Sequence, residues 1–424
     1  MKTAGLLIVL VLFFGRAGAE ELLSWQDCVK EAAKNHPDLI SAQEAIKASE
    51  ASKDISASSL YPQIDSSIAG STAGTTTEAG GVKTKKTTDS YSYGLTGSQL
   101  IFDGSKTSNK VNAAKENIKA SQYNYKFTSA DVRQRLRSAY IDLFSAQELL
   151  GITEEIRSIR RSDFELITLR YESGIEHKGA LLTARANLAG AELEIAQARR
   201  ALEVAQRQLL KEMGRQQFSE LRVAGDFTVT DTAREKPDFE ALAKDHPNLG
   251  KLAAQTSAAF FNIKSTKADF LPSLSAQGGT SKSSSHWPPD DSQWNAGLTL
   301  SFPIFEGGLR LAQVDQATAV FNQARANERS ARDGIILTLE QKWATLQDAV
   351  QTVGVQKDFL DAAQERANIA ESQYSLGLIQ FDNWTIIEDS LVSQKKAYLN
   401  SRINALLAEA NWVQAKGETL EYAQ

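Results

Sequence analysis

The 424-residue sequence has few of the residues that build disulfide frameworks and metal centres. It contains one cysteine, four histidines, two methionines and eight prolines. One cysteine cannot form a disulfide within the chain, and it excludes a zinc site made of several thiolates. The histidines are scattered without metal-ligand spacing, so we predict no metal site and no cofactor. The net charge of -5 argues against a basic nucleic-acid-binding surface.

Catalytic motifs are also missing. We find no glycine-rich phosphate loop after a strand and no nucleophile elbow. Paired carboxylates are abundant, but they lie on long helical segments, where such residues mostly form a solvated face. We therefore predict that the protein is not an enzyme.

Long apolar runs are absent after the N-terminus. Lys2 precedes a short apolar run at residues 4–14, and Ala17-Gly18-Ala19 fits a cleavage site, so residues 1–19 are predicted to be a signal peptide. The run is too short for a transmembrane anchor. Because no later run is long enough, the mature chain could cross a membrane only as strands of a closed barrel.

Two proline-free segments, residues 105–173 and 308–375, have the pattern of very long helices. At 1.5 Å per residue, each would be roughly 100 Å long. Each ends in a Tyr-x-x-Gly turn, at Tyr171–Gly174 and at Tyr374–Gly377. Apolar residues recur at three-four spacing in the first segment, which indicates a helix burying one narrow stripe. They are Val132, Leu136, Ala139, Leu143, Ala146 and Leu150.

These segments belong to an internal duplication, so the chain is built from two similar copies of one structural unit. Gly94, Gly151, Tyr171 and Gly174 recur 203 residues later as Gly297, Gly354, Tyr374 and Gly377. Upstream, Asn35-His36-Pro37 recurs 210 residues later as Asp245-His246-Pro247, so a loop in the first copy is seven residues longer. The two histidines fit either a metal or proton site or a helix junction. We favour the junction, because proline suits the first position of a helix.

Each copy also contains one predicted β-hairpin, at about residues 62–102 and 272–305. Apolar residues alternate with small or polar ones there, which indicates strands near ten residues long. The polar stretches 71–90 and 281–292 are predicted to be exposed loops. The alternation fits either a soluble sheet or a lipid-facing wall with an aromatic girdle of Tyr91, Tyr93 and Trp294.

The remaining segments complete two structural repeats, at residues 20–212 and 238–424. Ile101-Phe102-Asp103-Gly104 and Ile304-Phe305-Glu306-Gly307 connect strand to long helix. Shorter helices follow at about 180–212 and 382–416. A linker at 213–237 contains a strand-like stretch, 227–230. Two hairpins give four strands, too few to close a membrane barrel, so several chains would have to share one.

This ordered duplication resembles the TolC-like outer-membrane efflux protein family. The resemblance rests on the paired Tyr-x-x-Gly turns, the His-Pro motifs, Pro62 and Pro272 before the strands, and the two bends. It covers essentially the whole mature chain. It implies a mainly α fold with a small β part, in which a helix–β-hairpin–long helix–helix repeat occurs twice. It further implies a homotrimer whose α-helical barrel is capped by a shared twelve-stranded transmembrane β-barrel.

The resemblance also implies a function. Family members are outer-membrane channels of tripartite efflux or secretion systems, placed in the outer membrane of a Gram-negative-type cell and extending into the periplasm. They act as passive exit ducts that dock a periplasmic adaptor and an inner-membrane pump of the resistance-nodulation-division or ABC type. The alternative left open is a non-porous periplasmic or surface coiled-coil structural protein.

By the same resemblance, the turns at the helix tips would dock the adaptor, since Leu376-Gly377-Leu378 matches the family's Val-Gly-Leu-like motif. The implied docking residues are Tyr171, Ser173, Gly174, Ile175, Tyr374, Leu376, Gly377 and Leu378.

Family members also close the tunnel with acidic residues after the second turn. Here the implied gate residues are Asp382, Asn383 and Asp389, although Asn383 and Ile386 occupy the family's usual aspartate positions. Asp382 would equally fit a helix N-cap or a first-turn carboxylate. From the sequence, a role of Asp382 in the gate and a purely structural role at the helix start both remain open.

Overall fold

The computed structural model describes residues 21–224 and 236–423. The predicted signal peptide, 1–19, and the strand-like stretch 227–230 lie outside the described residues. The first copy comprises β1 (Glu21–Leu23), α1 (Trp25–Asn35), α2 (Pro37–Ser58), β2 (Gln63–Ala79), β3 (Val82–Phe102), α3 (Lys106–Glu172) and α4 (Lys178–Met213). The linker contains β4 (Leu221–Val223). The second copy comprises α5 (Phe239–Lys244), α6 (Pro247–Lys267), β5 (Ser273–Ser284), β6 (Asp291–Ser301), α7 (Leu309–Ser375) and α8 (Phe381–Ala415). The predicted mainly helical, duplicated fold is confirmed.

The two His-Pro motifs start α2 and α6. His36 Nδ1 accepts a hydrogen bond from the backbone N–H of Asp38 at 3.1 Å. His246 Nδ1 accepts one from the N–H of Asn248 at 3.2 Å. Each histidine ring therefore satisfies a backbone donor that a helix N-terminus leaves unpaired, and the following proline loses no hydrogen bond there.

The long helices α3 and α7 contain 67 residues each. The predicted stripe of α3 is buried at Val132, Leu136, Ala139, Leu143 and Ala146, and half-buried at Leu150. Tyr140, Ile141 and Phe144 are buried as well, so the buried face is wider near the middle of the helix than the predicted stripe.

The chain divides into two compact units, each drawing on both copies. One lies within Met1–Ile40, Thr128–Phe239 and Leu337–Gln424, and the other comprises Ser41–Phe127 and Glu240–Ile336. In the first unit, β1 and β4 form a parallel pair. Tyr140 donates a hydrogen bond from its hydroxyl to the carbonyl of Ala224, just beyond that pair, at 2.6 Å.

The first unit also buries a charged side chain. Glu212, near the end of α4, lies 3.4 Å from His36 Nε2 and 2.8 Å from Lys211 Nζ. The hydrogen bond from His36 lowers the pKa of the Glu212 carboxyl to about 2. A buried carboxylate with these partners is stabilised in its charged form.

The second unit contains a four-stranded antiparallel sheet in the order β2-β3-β5-β6. Strands β2 and β6 are its edges, and every residue of both is exposed in the single chain. Among the described residues, no helix combines the length and apolarity needed to span a membrane.

The structure corrects the prediction that residues 71–90 form a loop. Strand β2 has 17 residues and β3 has 21, and they stay paired up to Ala79 and Val82. Gly80 and Gly81 connect them with φ of 60° and 81°. Two consecutive residues with positive φ angles form the tight turn that suits a hairpin. The strands on either side are rich in threonine, which favours strands, and they carry no continuous apolar face near the turn.

The second predicted loop, 281–292, is also shorter than expected. Strand β5 continues to Ser284 and β6 begins at Asp291, which leaves residues 285–290 as the connection. Strands near ten residues long are therefore found in the second hairpin, with 12 and 11 residues, whereas those of the first hairpin have 17 and 21 residues. Polarity was the misleading signal, because strand pairing uses the backbone rather than the side chains.

We predict that Gly94→Ala destabilises the sheet. A Cβ at Gly94 would lie 2.8 Å from the Cβ of Ser281 and 2.9 Å from the carbonyl oxygen of Thr280. This overlap should cost about 1–3 kcal/mol, measured by thermal unfolding of the purified protein. Gly97→Ala in the same strand is the control, because its nearest neighbour would lie 3.7 Å away. Equal stability of the two variants would contradict the sheet register.

Candidate functional site

The turns that end α3 and α7 have the same backbone geometry. The N–H of Gly174 donates to the carbonyl of Tyr171 at 3.0 Å, and that of Ile175 to Arg170 at 2.9 Å. In the second turn, Gly377 donates to Tyr374 at 3.0 Å and Leu378 to Gln373 at 2.8 Å. This pair of bonds is the Schellman motif, which caps the last carbonyls of a helix.

The motif places glycine where the backbone must be left-handed, with φ of 77° at Gly174 and 75° at Gly377. Five-residue turns, 173–177 and 376–380, then lead into α4 and α8. At α4 the side chain of His177 accepts a hydrogen bond from the N–H of Ala180 at 3.1 Å. The first turn is thus fixed by local hydrogen bonds at both ends, whereas Gln380, the N-cap residue of α8, makes no side-chain capping bond.

Both turns present apolar side chains to solvent. Ile175 is exposed in the first turn, and Leu376 and Leu378 are exposed in the second. Ser173 is exposed beside Gly174. Three large apolar side chains on two tight turns form a surface suited to contact with a partner rather than with water.

A buried cluster lies directly behind these turns and joins α3, α4, α7 and α8. Within this cluster the rings of Tyr374 and Trp384 are stacked, with centroids 4.5 Å apart and an angle of 8° between the ring planes. The guanidinium of Arg170 lies 4.6 Å from the centre of the Tyr374 ring. The buried members are Ile167, Ala180, Ala184, Ala370, Tyr374, Phe381 and Trp384.

The two matching tyrosines differ sharply in burial. Tyr374 is 1% exposed and donates a hydrogen bond from its hydroxyl to Glu176 Oε1 at 3.0 Å, whereas Tyr171 is 38% exposed. Burial, followed by the bond to Glu176, raises the pKa of the Tyr374 hydroxyl. The position ten residues after each tyrosine explains the difference, because Trp384 offers a stacking surface and Leu181 does not.

The predicted gate residues occupy different environments on α8. The N-cap position of α8 is Gln380, so the N-cap interpretation of Asp382 is wrong and the first-turn interpretation is confirmed. Asp382 and Asn383 are exposed. A carboxylate in the first turn is favoured by the partial positive charge of the helix N-terminus.

The negative charge of Asp389 is compensated by a neighbouring arginine. Asp389 forms an ion pair with Arg160 Nη2, and the same guanidinium binds Glu388 Oε2 at 2.9 Å. The structure thus separates Asp389 from Asp382 and assigns Asp389 to a group of charges between α3 and α8.

Residues that could bind a metal are dispersed. Within residues 21–224 and 236–423, no group of three or more His, Cys, Asp or Glu side chains could hold an ion. Cys28 is buried, and that burial raises the pKa of its thiol to about 12. A thiol with so high a pKa is a poor ligand and a poor nucleophile.

The sequence analysis missed the residues that support the turns. These residues make contacts with residues that are distant in the sequence, and they are Glu176, Trp384, Arg160 and Glu388. Only the aromatic pair Phe381 and Trp384, three residues apart at the start of α8, offered a signal in the sequence.

Comparison with known families gives a match over most of the chain. The model of the outer membrane efflux protein family matches residues 28–215 and 240–418, which are the two copies of the duplication. The outer membrane efflux protein BepC of Brucella suis biovar 1 (strain 1330) is 22% identical over 377 residues, covering 86% of this chain and 78% of BepC. The outer membrane protein TolC of Escherichia coli (strain K12) is 25% identical over 299 residues, covering 66% of this chain and 60% of TolC.

Solved structures of outer-membrane channels share the fold. The crystal structure of CusC matches with a TM-score of 0.81 and 21% identity, over 92% of this chain and 91% of that one. The open state of the Neisseria gonorrhoeae MtrE outer membrane channel matches with a TM-score of 0.79 and 18% identity, over 93% and 89% of the two chains. With both copies of the duplication matched by its model, the chain belongs to the outer membrane efflux protein family.

Proposed function

We propose that this outer-membrane channel is the passive exit duct of a tripartite efflux or secretion system. A periplasmic adaptor and an inner-membrane pump, of the resistance-nodulation-division or ABC type, would supply the substrate and the energy. The observation that carries the proposal is the four-stranded sheet with two unpaired edges, combined with long helices that end in exposed apolar turns.

The sheet supports assembly with further copies of the chain. Apolar side chains on its edge strands are exposed, and the edge strands have unpaired backbone groups that lipid could not satisfy. Pairing β6 of one copy with β2 of the next would remove both edges, and three copies would close a twelve-stranded barrel. The exposed apolar residues of the edge strands are Ile64, Ile68, Trp294, Leu298 and Leu300.

The two turns are the proposed docking surface for the adaptor. Leu376-Gly377-Leu378 and Ser173-Gly174-Ile175 offer the side chains and backbone that a partner could touch. Tyr171 borders the first turn and is partly exposed, whereas Tyr374 is buried and holds the second turn in place. We therefore assign contact to the turn residues and support to Tyr374.

Asp382 and Asn383 are the proposed periplasmic gate. Both are exposed in the first turn of α8, close to the docking turn. Asp389 lies about two helical turns further along α8, where Arg160 compensates its charge. We infer no catalytic role for the chain.

Electron microscopy of the detergent-purified protein tests the proposed duct. We expect threefold particles with a wide barrel at one end and a hollow shaft, because three copies are needed to pair the sheet edges. A thin solid rod would contradict the channel and support a structural coiled coil. A compact monomeric particle would contradict both assembly and function.

Leu376→Glu and Gly377→Leu should each abolish most pump-dependent export. The glutamate would place charge on an apolar contact, and leucine at φ 75° would strain the turn by about 1–2 kcal/mol. Export is measured as survival on a pump substrate, together with the amount of trimer in the outer membrane. Leu376→Met is the control and should export normally. Unchanged export by Leu376→Glu at normal trimer levels would reject the docking assignment.

Asp382→Asn should reduce the preference of the channel for cations over anions. A ring of three carboxylates at a narrow entrance attracts cations, and the amide removes that charge. The measurement is the reversal potential of single channels in a salt gradient. Asp389→Asn should change the reversal potential less, because Arg160 already compensates Asp389. Equal effects of the two variants would contradict the proposed gate.

A further inference from the structure

The two bends that lead from a strand into a long helix have the same backbone geometry. Gly104 and Gly307 have φ angles of 63° and 60°. The first helical residue, Lys106 or Leu309, donates its N–H to the carbonyl three residues earlier at 3.1 Å in both bends. Since the bends themselves are alike, a difference in their exposure reflects what packs beside each of them.

The first bend is covered by the end of α6. Lys106 Nζ lies 2.5 Å from Asp269 Oδ1, and Ser265 Oγ donates a hydrogen bond to the carbonyl of Lys106 at 3.2 Å. A Cβ at Gly104 would lie 2.7 Å from Leu271 Cδ1, so Leu271 packs directly on the glycine. An ion pair, a hydrogen bond and an apolar contact thus hold α6 on the start of α3.

The second bend lacks this cover. Of the residues that the structure describes, none apart from its chain neighbours comes within 4 Å of a Cβ at Gly307. Phe305 is 88% exposed, whereas the matching Phe102 is 48% exposed. Leu309 stands at the position of Lys106 and is also exposed. The start of α7 therefore presents an apolar surface that a single chain leaves uncovered.

The end of α2 corresponds to the end of α6, and it is uncovered as well. The same backbone hydrogen bond of 3.0 Å forms at both ends, donated by Tyr61 after α2 and by Leu271 after α6. Ile55 stands at the position of Ser265, yet Ile55 is 72% exposed and Ser265 is 5% exposed. Leu60 and Tyr61 are exposed beside it. An isoleucine thus faces solvent where the other repeat has a buried serine.

The strand order shows which surfaces can meet. Within the chain β3 pairs with β5, and α3 leaves β3 where α6 leads into β5, which makes α3 and α6 neighbours. If β6 pairs with β2 of a neighbouring chain, α7 leaves β6 where α2 of that chain leads into β2. The uncovered bend then lies beside the uncovered helix end. This step rests on the assembly of several chains proposed above.

We propose that the contact between α6 and α3 is repeated between chains, where the end of α2 in one chain covers the start of α7 in the next. The partner of this surface is therefore a second copy of the chain. By the two offsets of the duplication, Ile55 of one chain lies on Leu309 of its neighbour, and Tyr61 lies on Gly307.

The chemistry of the contact changes between the two places. The ion pair of Lys106 with Asp269 has no equivalent between chains, because the matching residues are Leu309 and Ser59. Isoleucine on leucine is stabilised by removal of apolar surface from water, which needs no exact alignment of donor and acceptor. The contact within the chain is directional and polar, whereas the contact between chains is apolar.

Thiol cross-linking of the full-length protein in outer-membrane vesicles tests the contact. Cysteines replace Ile55 and Leu309 in a Cys28→Ser background, and a short bifunctional thiol reagent joins them. We expect most of the protein to migrate as linked dimers and trimers on a denaturing gel. Coexpression of a tagged Ile55→Cys chain with an untagged Leu309→Cys chain should give a tagged–untagged dimer, because the linked residues belong to different chains.

The matched control replaces Leu311 instead of Leu309. Leu311 is also an exposed leucine of α7, but it lies about 200° further round the helix. Leu311→Cys should therefore give little linked product with Ile55→Cys. Equal linking of the two leucine positions would overturn the proposed contact. Threefold particles without any link from Ile55→Cys to Leu309→Cys would overturn the contact and leave the duct intact, whereas a monomeric parent protein would overturn both.

Transfer of the ion pair into the contact gives a second test. Leu309→Lys alone should lower the temperature at which the trimer dissociates, because it places an unpaired charge in an apolar contact. Adding Ser59→Asp should restore that temperature, since the two changes recreate the arrangement of Lys106 and Asp269. Leu311→Lys is the control, which Ser59→Asp should not rescue. Rescue of both lysine variants, or of neither, would show that the proposal is wrong.

Discussion

Backbone hydrogen bonding at the edges of the four-stranded sheet constrains everything else in this chain. Strands β2 and β6 pair on one side only, and their exposed side chains include isoleucine, tryptophan and leucine. A single copy can satisfy neither the open edges nor the apolar surface. The sheet is therefore a fraction of a larger structure, and the helices that enter and leave it must be compatible with neighbouring copies.

The long helix α3 meets that requirement with an apolar stripe. Alanine and leucine recur along its buried line, and Tyr140, Ile141 and Phe144 widen the buried face near the middle of the helix. Unlike a core helix of a globular protein, such a helix is not surrounded on all sides by residues of its own chain. Individual polar contacts then contribute to stability. Examples are the contact between buried Glu212 and His36, and the hydrogen bond from the Tyr140 hydroxyl to the carbonyl of Ala224.

Duplication explains why the two halves look alike, and divergence explains how they work differently. Both turns keep the Schellman geometry, because Tyr-x-x-Gly fixes it locally. Behind the turns, the copies have separated: Trp384 stacks on Tyr374, while the matching Leu181 leaves Tyr171 partly exposed. The Arg160 group adds charges that act across the two copies, between α3 of one and α8 of the other.

Local patterns were readable from the sequence, and long-range contacts were not. The spacing of Leu136 and Leu143 predicted the stripe, and the positions of Gly174 and Gly377 predicted the turns, because helix periodicity and backbone φ are set within a few residues. The polar segment 71–90 was misread because its strands pair through the backbone alone. The contact between Arg160 and Glu388 joins residues 228 apart, and no periodicity in the sequence encodes it.

The unequal tyrosines have a consequence for symmetry. A threefold assembly of this chain would carry six turns around its axis, but they would alternate between one with an anchored ring and one with a looser ring. The circle would be only approximately sixfold. A binding partner present in six identical copies would meet two kinds of binding site, and it would have to bind both or distinguish between them.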